Sequence, residues 1–272
     1  MAIQFERDQW ALILGGSSGF GLATARKLAS CGMSVAIVHR DRRGAMVTIE
    51  PAFDEIRGMG VGFLAMNVDA LSEEGRQTVL QQLGEAMGEK GRVRMLLHSI
   101  AFGNLKNLAP GRGAEASDDE RFLDDEDFAG TVYAMGTSLA SWTQAVRNAG
   151  LFADDARVLS MTSEGNEIAW RGYAAVSAAK AALEAVSRSI ALEMAPWGIR
   201  SNVIQAGVTD TKALRMIPGS DGMKESAIRR NPFGRLTTPE DVADFIALMC
   251  TDEARWVNGA LLRVDGGERI GG

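Results

Sequence analysis

The sequence predicts one α/β domain, built as a doubly wound parallel sheet of seven strands with helices on both faces. Three observations predict it. The apolar runs are short and continuous rather than alternating, as expected of strands buried on both faces. Stretches of helical periodicity separate them from end to end. The first run breaks into glycines that open a helix, Gly15-Gly-Ser-Ser-Gly19-Phe-Gly21. A chain of 272 residues can bury a large core. No internal repeat or linker divides it, so residues 1–272 read as a single domain.

The elements follow in order. Trp10–Leu14 is the first strand, and Phe20–Cys31 has the periodicity of a helix. Ser34–Val38 and Gly62–Met66 supply the second and third strands, and Leu71–Gly88 an amphipathic helix. Arg94–Ile100, Arg157–Met161, Ser201–Gln205 and Ala260–Val264 complete the seven strands. Helices are expected over about 124–148, 173–195 and 239–251. The last has Thr238 as its cap and Pro239 at its first position, a usual start signal.

Composition narrows the function. Hydrophobic residues make up 46% of the chain and the net charge is −6, which argues against disorder and against a global basic field for nucleic acid or anionic membrane. Residues 1–10 lack the apolar core of a secretory signal. No run reaches the length of a membrane span, so a cytoplasmic, soluble protein is expected. Cys31 and Cys250 lie in apolar helical patterns and read as buried thiols rather than a disulfide or metal ligands. No histidine pair has metal-ligand spacing.

Two stretches break the rhythm. Gly103–Gly113 is a Gly/Pro/Asn loop that runs into eight carboxylates between Glu115 and Asp127, with only Arg121 against them. A solvated loop and a helix start account for this, since carboxylates suit a helix N-terminus. The segment 209–235 is basic, carrying Lys212, Arg215, Lys224, Arg229, Arg230 and Arg235, and it also holds Met216, Ile217, Met223 and Phe233. It reads as a substrate lid, or as an amphipathic surface helix with no partner.

The glycine run sits between a strand and a helix, the context in which it binds a dinucleotide. Gly15, Gly19 and Gly21 permit a tight turn, and with Ser17, Ser18 and Phe20 they would bring a pyrophosphate to backbone N–H groups at the helix N-terminus. This makes the domain Rossmann-type. Cofactor choice is written at the end of the second strand, where an NAD enzyme usually puts a carboxylate. Here His39 stands there and Arg40 follows. A guanidinium can bind a 2′-phosphate bidentately, so NADPH is expected. Asp41 is the residue that speaks against it, unless it pairs with a neighbouring arginine. His39 reads as a cofactor-rim or surface residue. His98 reads as a buried, hydrogen-bonded structural residue rather than a general base.

Over nearly its whole length the chain resembles the short-chain dehydrogenase/reductase superfamily. The residues that carry the likeness are Gly15–Gly21, Asn67-Val68, Ser163, Tyr173 with Lys180, and Val264-Asp265-Gly266-Gly267. Most of that superfamily spaces its tyrosine and lysine as Tyr-x3-Lys, but the position four before Lys180 is Val176. Here the spacing is Tyr173-x6-Lys180. That spacing, and the strand ending Leu97-His98-Ser99-Ile100-Ala101-Phe102, resemble the enoyl-acyl carrier protein reductases. The glycine spacing looks like their NADPH-using branch, although features of both branches are present.

The shifted tyrosine has a chemical reading. Enoyl thioester reduction places hydride on C3 while charge develops on the thioester oxygen, two carbons away. Three residues along a helix displace a phenol by about 4.5 Å and turn it by about 60°, toward such an oxygen. The resemblance implies that Tyr173 donates to the enolate oxygen and that Lys180 binds the nicotinamide ribose and supplies positive charge. Ser163 lies thirteen residues before Val176, where relatives keep a catalytic serine and the NADH-using enoyl reductases a second tyrosine. A loop-packing serine explains it almost as well. The helix asparagine of the superfamily falls on Met135. Asn67 and Val68 are expected to flank the adenine, and Ser99, Ile100 and Ala101 to line the ribose and nicotinamide side. Gly207, Val208 and Thr209 are expected at the carboxamide, without the proline that relatives carry there, and Thr211 at a phosphate.

The function expected is an enoyl thioester reductase of fatty acid synthesis. It would use NADPH on a trans-2-enoyl chain carried by acyl carrier protein or by CoA, as a homotetramer. A carbonyl or hydroxysteroid reductase, or an enoyl-CoA reductase, is the alternative within oxidoreductases. A non-catalytic nucleotide-binding regulator is the alternative outside them.

Overall fold

A computed structural model describes residues 3–111, 121–217 and 219–271. Seven strands form one sheet in the order β3-β2-β1-β4-β5-β6-β7, and every neighbouring pair is parallel. The strands are β1 (Gln9–Leu14), β2 (Ser34–His39), β3 (Phe63–Asn67), β4 (Arg92–His98), β5 (Phe152–Thr162), β6 (Ile199–Ala206) and β7 (Leu261–Val264). The helices are α1 (Gly19–Ser30), α2 (Met46–Arg57), α3 (Glu73–Met87), α4 (Asp125–Val132), α5 (Ser138–Asn148), α6 (Ala174–Glu193), α7 (Lys212–Arg215), α8 (Ser220–Arg230) and α9 (Pro239–Met249). The doubly wound, Rossmann-type expectation is met.

Continuous apolar strands are explained by burial on both sides. Along β1, Ala11 and Ile13 face a layer made by α1, α2 and α9, where they meet Leu28, Phe53 and Ile246. Trp10, Leu12 and Leu14 face the opposite layer of α3, α5 and α6, with Leu83, Trp142 and Leu183. Each fully buried Leu or Ile contributes roughly 1.5–3 kcal/mol, so the sheet is the rigid base of the molecule. A third, smaller cluster sits beyond the C-terminal ends of the strands. It joins Met135, Tyr173, Val176 and Ala179 to the partly buried Leu105, Trp170 and Ile217.

Several boundaries differ from expectation. Helix α2 was not anticipated, and it carries Pro51 in its interior, which costs it one backbone donor. The helix expected over 124–148 is broken by a π-helical turn at Tyr133–Thr137. Segment 173–195 begins its helix one residue late, because Tyr173 is the cap residue with non-helical dihedrals of −113° and 3°. The acidic start of α4 behaves as expected. Asp124 and Asp127 form a reciprocal capping box, and Asp125, Glu126 and Asp127 occupy the first turn. Of the remaining acidic tract, Glu115–Glu120 lies outside the described residues. Thr238 caps α9 with Pro239 at its first position, and Asp241 closes a second capping box.

Cys31 and Cys250 are both free and buried, and burial pushes the Cys250 thiol up to about 12. Among the described residues no helix is long and apolar enough to cross a membrane.

Candidate active site

In a parallel open sheet, ligands bind beyond the carboxyl ends of the strands, where the strand order reverses. Here that point lies between β1 and β4, whose last residues Leu14 and His98 are in register. The turn after β1 and the segment after β4 touch. The Ser99 N–H donates to Leu14 O at 2.9 Å, and a Cβ at Gly15 (φ 84°) would lie 2.5 Å from Ser99 O. Only glycine fits there. The N-cap of α1 is Ser18, extended, exposed and without a side-chain cap bond. The first N–H groups of α1, from Gly19 to Gly21, therefore remain available to an anion. Thr211 lies across this turn, its Cγ2 3.6 Å from a Cβ position at Gly19. Its Oγ1 also caps α7 by accepting from Leu214 N. These residues could hold a dinucleotide pyrophosphate, and Thr211 lies next to the same turn.

The end of β2 is more structured than its sequence suggested. His39 is buried, not at a surface, with its ring edge-on to Phe53 and its Nδ1 3.0 Å from Asp41 Oδ2. Asp41 thus pairs with a histidine rather than an arginine. Asn67 brackets the Asp41 backbone, accepting from its N–H at 3.1 Å and donating to its carbonyl at 2.9 Å. Val68 N donates to His39 O, which ties the two strand ends together. Arg40 is left exposed, donating to Asp69 Oδ2 at 2.8 Å and lying 4.8 Å from the centre of the Phe102 ring.

Tyr173 and Lys180 converge on the end of β5. The Tyr173 hydroxyl is 3.3 Å from Ser163 Oγ, and Lys180 Nζ donates to Met161 O at 2.7 Å. Trp170 stands edge-on to the tyrosine ring, with centroids 5.4 Å apart. Burial raises the Tyr173 phenol above its ordinary value, with the Ser163 bond pulling the other way, so it is protonated at neutral pH. Burial brings the Lys180 ammonium down to about 8, opposed by Glu184. The lysine therefore keeps its charge at pH 7. The other tyrosine, Tyr133, donates to Leu71 O instead. Val176, at the more usual tyrosine position, is buried beside Met135 in the apolar cluster.

His98 is fully buried, its pKa brought down to about 3 by burial and then by the Lys180 charge. Ser138 Oγ donates to Ala134 O and lies 2.8 Å from His98 Nε2. That leaves the serine as acceptor and the neutral histidine protonated on Nε2. The histidine is thus buried and hydrogen-bonded.

Sequence reasoning missed the residues that hold the β5–α6 loop. Glu184 accepts from Thr162 Oγ1 at 2.9 Å and from Asn166 Nδ2, and Ser177 Oγ donates to Gly165 O. Missed too were Glu164, Arg230 and Glu268. Arg230 donates to Glu164 at 3.1 Å and to Glu268 at 3.0 Å. The helical offsets of Ser177 and Glu184 from Tyr173 were the one available signal, since they return to the same face.

The basic segment 209–235 is largely neutralised by ion pairs, some within it and some to neighbouring elements. Arg215 and Lys224 bind Asp210, Lys224 also binds Asp221, and Arg235 binds Asp241. With Arg230 paired as above, only Lys212 and Arg229 of its six cations lack an ion pair among the described residues. Gly207 N donates to Val264 O and Val208 N to Glu268, so the loop after β6 is held despite having no proline.

The sequence and the fold are similar to those of known proteins. A family model described as enoyl-(acyl carrier protein) reductase matches residues 15–268. The 1-cyclohexenylcarbonyl-CoA reductase of Streptomyces collinus is 28% identical over 269 residues, covering 97% of this chain and 88% of that protein. The 3-oxoacyl-(acyl carrier protein) reductase of Escherichia coli K12 is 27% identical over 257 residues, covering 94% and 96%. The solved structure of the NADH enoyl-(acyl carrier protein) reductase of Aquifex aeolicus VF5 matches with a TM-score of 0.82 at 26% identity, covering 100% of this chain and 99% of that one.

Proposed function

The chain belongs to the enoyl-(acyl carrier protein) reductase family of short-chain dehydrogenase/reductase oxidoreductases, and on that premise we propose that it reduces the C2–C3 double bond of trans-2-enoyl thioesters on acyl carrier protein. The observation that carries this reading is the position of the proton donor. Tyr173 stands just outside α6, six intervening residues from Lys180, while the position that would serve a ketone is filled by the packed aliphatic Val176.

NADPH, when bound, supplies the hydride. Gly15, Ser17, Ser18, Gly19, Phe20 and Gly21 would hold its pyrophosphate, with Thr211. Arg40 would take the 2′-phosphate, Asn67 and Val68 the adenine, and Ser99, Ile100, Ala101, Gly207, Val208 and Thr209 the nicotinamide side. Lys180 would hydrogen-bond the ribose and keep a positive charge beside the phenol. Tyr173, protonated and buried, donates to the thioester oxygen as charge develops there. Ser163 is the second donor to that oxygen.

Segment 209–235 serves as the lid. Its Ile217 packs into the same cluster as Tyr173, while Met216 is 70% exposed and available to cover an acyl chain. Lys212 and Arg229 are its cations for an acidic carrier. The exposed Ala181 and Leu192 on α6 support a homotetramer built through that helix.

A second reading, ketone reduction, is favoured by the Ser163–Tyr173 pair, which could equally address a carbonyl. The two separate in one assay. Purified protein should oxidise NADPH with crotonyl thioesters and ignore acetoacetyl thioesters. Robust ketone reduction without enoyl reduction overturns the proposal.

A further inference from the structure

Glu268 is 2% exposed, yet it is a carboxylate in the last turn of the described chain. Its two oxygens do different work. Oε2 accepts the Val208 N–H at 3.0 Å, in the loop that follows β6. Oε1 accepts from Arg230 Nη2 at 3.0 Å, at the last residue of α8. The same nitrogen of Arg230 reaches Glu164 Oε1 at 3.1 Å, and Glu164 directly follows Ser163. A Cβ at Gly207 would stand 2.8 Å from Glu268 Oε2, so the loop backbone is pressed against this carboxylate. Three segments separate in sequence, 163–164, 208 and 230, are thereby joined through three side chains, those of Glu164, Arg230 and Glu268.

Desolvating a carboxylate is costly, and an apolar residue would fill the same space more cheaply. Burial indeed pushes the Glu268 carboxyl up, while the Val208 N–H and Arg230 act against that rise. What the ionic cluster offers that an apolar one would not is directional linkage between the substrate-side helix and the site.

We propose that Arg230 and Glu268 are positioning residues. They latch the C-terminal end of α8 to the Ser163 loop, and they hold the Val208–Thr211 loop at the nicotinamide side, so that the seating of the lid and the geometry of the site change together. The functional half of this inference rests on the lid assignment made above. Neither residue touches the reacting atoms. Arg230 acts through Glu164, and Glu268 acts through the Val208 N–H and Arg230.

Hydrogen exchange on the full chain tests the latch without reference to any reaction. Glu268→Ala removes both links, so exchange should rise roughly tenfold or more at Val208 and across 220–230, while β4 and β5 keep their protection. Glu268→Gln retains an oxygen for Val208 but loses the charge facing Arg230. Its exchange should rise in 220–230 and stay near wild type at Val208. Glu164→Gln, which leaves Glu268 untouched and guards against a Glu268 variant that fails to fold, should loosen only 164–166 and the end of α8. Kinetically, Glu164→Gln should raise the KM for a crotonyl thioester by about tenfold and lower kcat by about threefold through the Ser163 loop, with the NADPH Kd nearly unchanged.

Unchanged exchange at 208 and 220–230 in a folded Glu268→Ala protein overturns the latch. Loosened exchange with no change in KM overturns its positioning role. If the wild-type protein reduces only ketones, the enoyl reading fails alone, and the same KM comparison is made with the ketone.

Discussion

The Tyr173 hydroxyl lies 3.3 Å from Ser163 Oγ, with the tyrosine at the cap of α6 and the serine just past the end of β5. Two hydroxyls this close can both reach one oxygen of a substrate, but only the buried phenol has its acidity shifted by burial. Tyr173→Phe should therefore lower kcat by about 10²–10⁴-fold, while NADPH affinity, measured by fluorescence titration, stays within about twofold. Ser163→Ala should cost less, about tenfold in kcat, because it removes the weaker of two donors. The serine bond lowers the Tyr173 pKa, so its loss should move the alkaline limb of the pH–rate profile upward. A Ser163→Ala profile identical to wild type would mean that the serine only packs the loop.

Lys180 is buried and donates to Met161 O, and burial sets its pKa at about 8. It is charged below that value and neutral above it. Nucleotide binding should accordingly weaken as pH rises through about 8, and the trend should vanish in Lys180→Met. The linked stability change has the opposite sense. The folded lysine releases its proton near 8 and the unfolded one near its ordinary 10.5, so the folded state holds fewer protons between these values and this contribution to stability rises with pH. A nucleotide Kd that is flat from pH 7 to 9 would show that the ammonium is not a binding group.

The strands were legible because burial on both faces leaves continuous apolar runs, as in Trp10–Leu14 and Ser34–Val38. The glycine turn after β1 was legible because its glycines answer to local backbone constraints, the Gly15–Ser99 contact being one. What escaped depends on contacts distant in sequence or on local exceptions. Pro51 hid α2, since a proline argues against a helix interior. The π turn at Tyr133–Thr137 has no composition of its own. The charges of 209–235 looked available to a partner, but Asp210 and Asp241 quench them through folded geometry. Nothing in a linear reading joins Glu164 to Arg230, sixty-six residues away.

Arg40 is the one cation at the end of β2 that is paired with Asp69 and laid over Phe102. A 2′-phosphate would have to compete with Asp69 for it. Arg40→Ala should raise the Kd for NADPH by about tenfold and leave that for NADH nearly unchanged. Asp69→Asn should do the reverse, tightening NADPH by releasing the guanidinium. Equal losses for both nucleotides in Arg40→Ala would place the arginine at some task other than reading the 2′-phosphate.

Arg157 is fully buried at the other end of the sheet, far in function from the site but central to stability. Its guanidinium donates to Met249 O at 3.0 Å and Thr251 O at 3.1 Å, and Arg94 donates twice to Cys250 O. Two arginines thus satisfy the last carbonyls of α9 and meet the negative end of its dipole. Both also bind Asp155, which Arg200 joins. Burial works against the ionised Asp155, but the hydrogen bond and charge of Arg157, with Arg94 and Arg200, outweigh it and hold the carboxyl below its usual range. Arg157→Leu leaves the Met249 and Thr251 carbonyls and part of a carboxylate unpaired, and should cost about 3–5 kcal/mol in urea unfolding. Asp155 has a depressed folded pKa, so its contribution is present above the usual carboxylate range and lost as pH falls through the depressed value. Removing Arg157 raises that pKa, and acid unfolding of the variant should begin at higher pH than in the wild type. A variant within about 1 kcal/mol of wild type, with the same acid transition, would mean that leucine's burial makes good the lost pairing, as it does for some buried ion pairs.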